Sequence, residues 1–111
     1  MIFNSTIKGA GGGGGGGSSE RYIKPVIPQL LMSNNANIQD STAAYAALRA
    51  VGDPGTTMRI VTNNHYYLSS ITRDDTSASV PFTEESSGSR GGTYSFTMPD
   101  ADVTFDLYYD D

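Results

Sequence analysis

Two short segments near the C-terminal end alternate between apolar and polar residues at every position, and that pattern fits only one kind of backbone. In Thr93–Met98, Tyr94, Phe96 and Met98 are separated by Ser95 and Thr97. In Val103–Tyr109, Val103, Phe105, Leu107 and Tyr109 are separated by Thr104, Asp106 and Tyr108. A period of two puts one row of side chains on each face of an extended strand, one row buried and one wet, whereas a helix would scatter both rows around its axis. Between the segments Pro99 presets the φ of a turn's second position, and Asp100 follows it. The pair therefore reads as two antiparallel strands whose buried rows include Tyr109 and whose wet rows include Tyr108. Thr57–Thr62 repeats the pattern with Met58 and Ile60 inward, Tyr66–Arg73 reads as a further strand, and Ser79–Thr83 as a weaker one. The expected fold class is all-β, a small antiparallel β-sandwich or grasp-like module.

Upstream the signals are mixed. Arg21–Met32 is apolar but carries Pro25 and Pro28, which removes two backbone donors and suits an edge strand or an extended wrap. Residues 33–37 read as a turn. Residues 41–51 allow two readings: a helix capped by Asp40 or Ser41 and closed by Gly52, or a strand of small residues. Gly52-Asp53-Pro54-Gly55 is a turn, and Ser86–Gly92 reads as a loop.

The first nineteen residues have another character. Residues 1–10 alternate and are rich in β-branched side chains, so they read as a strand that needs a sheet edge to pair with. Seven consecutive glycines follow: Gly11, Gly12, Gly13, Gly14, Gly15, Gly16 and Gly17. The run ends Gly-Ser-Ser-Glu without the Gly-Lys-Ser/Thr of a phosphate loop. It is either a flexible tether or a stretch in which extended chains pack at distances only glycine permits. The chain thus divides into an anchoring strand (1–10), a glycine and serine segment (11–19) and a β-domain (20–111). Ile2, Phe3 and Ile7, together with the seven glycines, are the candidate assembly residues.

Composition excludes more chemistry than it suggests. The 111 residues contain no cysteine and only one histidine, His65, which removes disulfides, thiolate zinc sites, a cysteine nucleophile and any histidine pair within one chain. No apolar stretch approaches the ~20 residues of a membrane-spanning helix, so no membrane insertion is expected. Residues 25–111 carry four arginines against eleven carboxylates, a balance that repels phosphate backbones and argues against nucleic acid as a partner. The opening residues lack the basic and apolar regions of a secretory signal, so synthesis in a cytoplasm is expected.

Few side chains invite a functional reading. Asp100, Asp102 and Asp106 offer oxygen ligands but no calcium-loop spacing, and they read as turn and solvated-face residues. Glu84-Glu85 and Asp74-Asp75 are adjacent carboxylates in loop-like segments, a poor arrangement for an acid–base pair. His65 sits between turn asparagines and a strand and reads as a surface residue. Tyr108, on a wet face, is the candidate contact for a sugar ring or a partner chain. Neither metal nor cofactor is expected.

Residues 50–109 resemble a known family. Gly55-Thr-Thr-Met-Arg-Ile-Val-Thr-Asn-Asn-His-Tyr-Tyr-Leu-Ser-Ser-Ile-Thr, followed by Gly92-Thr-Tyr-Ser-Phe-Thr-Met-Pro-Asp-Ala-Asp-Val-Thr-Phe, is similar to the internalin-type B-repeat of bacterial surface proteins. His65 stands where that family usually has glycine. The resemblance implies a small all-β, grasp-like module used as a spacer or adhesive unit, with no catalytic residues, and it favours a strand over residues 42–50. The opening Phe3–Gly9 and the glycine run look like the starts of small virion or tail-associated phage proteins. Together these readings lead to a non-enzymatic structural protein, expected in a phage virion as a decoration, fibre or tail-associated subunit. It would be anchored through its N-terminal arm in a homo-oligomer or larger assembly. The alternative is an extracellular or cell-surface adhesion module that binds glycan or protein through loops such as 84–92.

Overall fold

The computed structural model describes residues 20–33, 35–44 and 48–111. The N-terminal strand, the glycine run and the assembly residues Ile2, Phe3, Ile7 and Gly11–Gly17 lie outside the described residues.

The fold is all-β, with two packed sheets. In chain order the elements are β1 (Arg21–Pro25), α1 (Gln29–Met32), β2 (Ala36–Gln39), β3 (Thr42–Ala44), β4 (Arg49–Gly52), β5 (Thr57–Thr62), β6 (Tyr66–Arg73), β7 (Thr83–Ser87), β8 (Gly92–Thr97) and β9 (Val103–Tyr109). One sheet has the order β3-β4-β1-β9-β6 and the other β2-β5-β8-β7. Every pair of neighbouring strands is antiparallel except β1 and β9, which run parallel with Val103 opposite Ile23 and Phe105 opposite Pro25.

The alternating segments form the centre of the sandwich. Met58 and Ile60 of β5 and Tyr94 and Phe96 of β8 face the Ile23, Ile71, Val103 and Phe105 row of the other sheet, and all are buried. Leu68 and Ile71 are both buried although three residues apart, because β6 bulges: Asp106 pairs with Ser70, but Leu107 pairs with Leu68. The extra residue, Ser69, resets the alternation so that both apolar side chains reach the core. Leu30 and Leu31 of the short helix add to the same core.

Five expectations change. Arg21–Pro25 is not an edge strand: it pairs with β4 on one side and β9 on the other. Pro25 is tolerated because it is the last residue of the strand, and the next backbone donor, Val26 N–H, bonds to the Phe105 carbonyl at 2.8 Å. Ala36 and Asn37, read as the end of a turn, instead begin β2, which pairs with β5. The ambiguous stretch around 42–51 forms two strands, β3 and β4, in place of a helix or one strand, with Thr42 opposite Val51. Within Ser79–Thr83 only an isolated bridge forms, from Ser79 to Thr72; the strand runs instead from Thr83 to Ser87 and takes in the first two residues of the expected loop. Tyr109 is 57% exposed rather than buried, because the packed core ends at Leu107, two register pairs earlier.

Candidate functional site

Parallel pairing of β1 with β9 gives the sandwich two distinct ends. Arg21 and Val103 lie at one end, and Tyr109, opposite Tyr66, lies at the other. The seven residues of β9 separate them by roughly 20 Å at ~3.3 Å per residue.

The end where β1 begins is a network of ion pairs. Arg21 meets Asp100 at 2.7 Å, and the Tyr22 N–H donates to Asp102 Oδ1 at 2.9 Å. Lys24 pairs with Asp74, which also accepts the Thr104 hydroxyl at 2.7 Å. Burial works against the Asp74 carboxylate, but Lys24 and Thr104 outweigh it and hold the pKa below the usual range. The Arg73 guanidinium meets both Asp75 oxygens, at 3.0 and 2.9 Å, and lowers that carboxylate in the same direction. A depression of about 410 Å³ lies among Arg21, Asp74, Asp75, Asp100, Ala101 and Asp102. Three of its aspartates, Asp74, Asp100 and Asp102, tie β1 to the segments beside it, and Asp75 is taken up by Arg73. Among the described residues no group of three or more histidine, aspartate or glutamate side chains is placed to hold a metal ion. Glu85, half of the other adjacent pair, is bound to Arg59 at 3.3 Å. No helix among the described residues is long and apolar enough to cross a membrane.

The opposite end is aromatic. Tyr108, the contact residue expected from sequence, is 50% exposed. It stacks on Tyr67 with ring centroids 5.6 Å apart and planes 29° from parallel. Tyr109 meets Tyr66 edge-on at 5.4 Å and His65 at 6.1 Å. Strand register makes the contacts: the β6–β9 ladder sets Tyr66 beside Tyr109 and Tyr67 beside Tyr108, turning two sequence dipeptides into two ring pairs at this end of the sheet. Beneath it Tyr94 is buried, which pushes its hydroxyl above the usual range, with Glu84, Tyr108 and Tyr67 as neighbouring groups that act in the same direction.

Beside the rings runs a groove of about 330 Å³ between the β5–β6 and β7–β8 turns, lined by Thr62, Asn63, Ser86–Thr93 and Val61. Its walls are tied to each other and to the rings. The Tyr67 hydroxyl donates to the Gly88 carbonyl at 2.7 Å, and the His65 N–H donates to the Arg90 carbonyl at 2.9 Å. Buried Thr62 accepts the Gly92 N–H on its hydroxyl at 2.9 Å. Gly91 is required here: its φ is +157°, and a Cβ would stand 2.2 Å from the Thr62 carbonyl oxygen.

Arg90, on the groove wall, differs from the other cations. Arg21, Lys24, Arg59 and Arg73 have carboxylate partners, and Arg49 lies over the Tyr22 ring at 3.8 Å. Among the described residues Arg90 alone has neither. Sequence reasoning singled out Tyr108 and the 84–92 segment but missed Tyr67 and Arg90. The tyrosine dipeptides at 66–67 and 108–109 are the available signal, and only the register joins them.

Compared with family models, curated proteins and solved structures, the chain matches none of them.

Proposed function

We propose that this protein is a non-enzymatic structural subunit of a larger assembly, of the kind built into a phage virion. Residues 1–19 anchor it, and the sandwich projects its aromatic end away from the anchor. The observation that carries this reading is the position of β1. The arm joins the sandwich at a strand paired on both sides, at the end opposite Tyr108 and Tyr109. A pull on the arm is therefore resisted by two ladders of backbone hydrogen bonds and by the ion pairs of Arg21 and Lys24, while the far end stays free for contact.

Sedimentation of the full chain beside a chain beginning at Glu20 tests the proposal. The full chain is expected to form a discrete oligomer or to join particles, and the shorter chain to stay monomeric. Equal sedimentation of folded monomers at every concentration, with no incorporation of either, overturns it. The second reading, an adhesion module at a surface, draws on the exposed rings.

A further inference from the structure

We infer that the aromatic end is a saccharide-binding site that selects a sugar ring bearing an isolated carboxylate. Unlike the anchoring reading, this depends on the sandwich alone. Exposed Tyr108, stacked on half-buried Tyr67, offers the flat apolar face against which the C–H side of a pyranose packs, with hydroxyls at the rim for its polar edge. The adjoining groove supplies hydroxyl, amide and backbone groups from Asn63, Ser86, Ser87, Ser89 and the glycines, which match a ligand dense in hydroxyls. The position of the stack is held by the Tyr67–Gly88 hydrogen bond, so platform and groove are presented as one surface.

Charge narrows the class. Arg90 is the groove's cation, it has no partner among the described residues, and its planar fork suits a carboxylate. Asp110 and Asp111 follow the tyrosines, Glu84 lies near Tyr94, and the chain carries a net charge of −5. A densely charged chain such as a polyphosphate or a nucleic acid would gain one arginine and meet several carboxylates. A saccharide with one carboxylate, spaced from the next by neutral rings, gains the arginine without that repulsion.

The test is NMR titration of the full chain with a sialylated trisaccharide, a trisaccharide carrying a single glucuronate between neutral rings, and neutral lactose, beside polyphosphate. Expected are shifts at Tyr67, Tyr108 and Arg90 with at least one of the two acidic sugars, with affinity in the ~mM range of a shallow site. Which acidic sugar binds distinguishes a sialic-acid source from a uronic-acid source. Tyr108→Ala should weaken binding at least ~tenfold, and Arg90→Gln should remove the preference over lactose. Tyr108→Phe should bind more tightly than Tyr108→Ala, because the ring face is retained and only its rim hydroxyl is lost. Unchanged Ile60 and Phe105 resonances establish that each variant is folded. Absence of shifts with both acidic sugars, equal binding of lactose, tighter binding of polyphosphate at the same residues, or full affinity in Tyr108→Ala would overturn the assignment.

Discussion

Asn64 and His65 occupy the two central positions of the β5–β6 hairpin with φ of +57° and +68°, and the Tyr66 N–H closes the turn on the Asn63 carbonyl at 3.0 Å. This is the mirror-image turn whose twist suits a two-residue hairpin, and it favours glycine at its second central position. Histidine there pays the left-handed penalty of ~1–2 kcal/mol, although glycine would return part of the difference as extra freedom in the unfolded chain. His65→Gly is therefore expected to stabilise the fold by ~0.5–1 kcal/mol in urea denaturation; a loss of that size would mean that His65's ring contact with Tyr109 outweighs the strain. At the core the sign reverses. Phe105 is fully buried where the two sheets meet, so Phe105→Ala should cost ~3–5 kcal/mol, read from the same denaturation curves. A cost under ~1 kcal/mol would place it outside the tightly packed core. Both residues could be recognised in the sequence, Phe105 by parity and His65 by its place in an asparagine turn. Tyr109's parity was equally plain, but parity says nothing of where the opposing sheet stops.

At the level of elements, β1 is held to its surroundings by backbone ladders and by the Lys24–Asp74–Thr104 cluster that joins it to β6 and β9. Asp74 titrates lower in the folded chain than the ~3.9 of a free aspartate. Its contribution is therefore fully present above that unfolded value and is lost as pH falls through the lower, folded one. Stability should fall as pH drops below about 4, and Asp74→Asn should flatten part of that fall while costing ~0.5–1 kcal/mol at neutral pH. Denaturant melts at several pH values measure both, and a parallel acid limb in Asp74→Asn would remove the cluster's role. No local signal exposes this tie, because Lys24 and Asp74 are fifty positions apart and neither lies in a motif. β7 was obscured for another reason. Its residues, Thr-Glu-Glu-Ser-Ser, are all exposed at the edge of their sheet, so there is no apolar row to betray a strand.

For the molecule as a whole, every strand among the described residues lies at or beyond Arg21, and β1 already has both neighbours. The chain beginning at Glu20 is therefore expected to melt within roughly 2 °C of the full chain. A drop of more than about 5 °C, equivalent to the loss of ~1 kcal/mol in a domain of this size, would show that residues 1–19 pack against the sandwich.

By itself the sequence determined the all-β class, the inward rows of β5, β8 and the first part of β9, and the turn at 52–55. Each follows from neighbours along the chain: period-two burial, and the φ preferences of proline and glycine. Tertiary structure alone decided the parallel seating of β1 beside β9, the bulge at Ser69, the division of residues 42–52 into two strands, and the meeting of Tyr67, Tyr108 and Arg90 at one end. These depend on which strand lies beside which and in what register. A strand's own pattern specifies the face it buries and leaves its partner open, because backbone hydrogen bonds are the same for every partner and only the packing of two whole sheets selects among them.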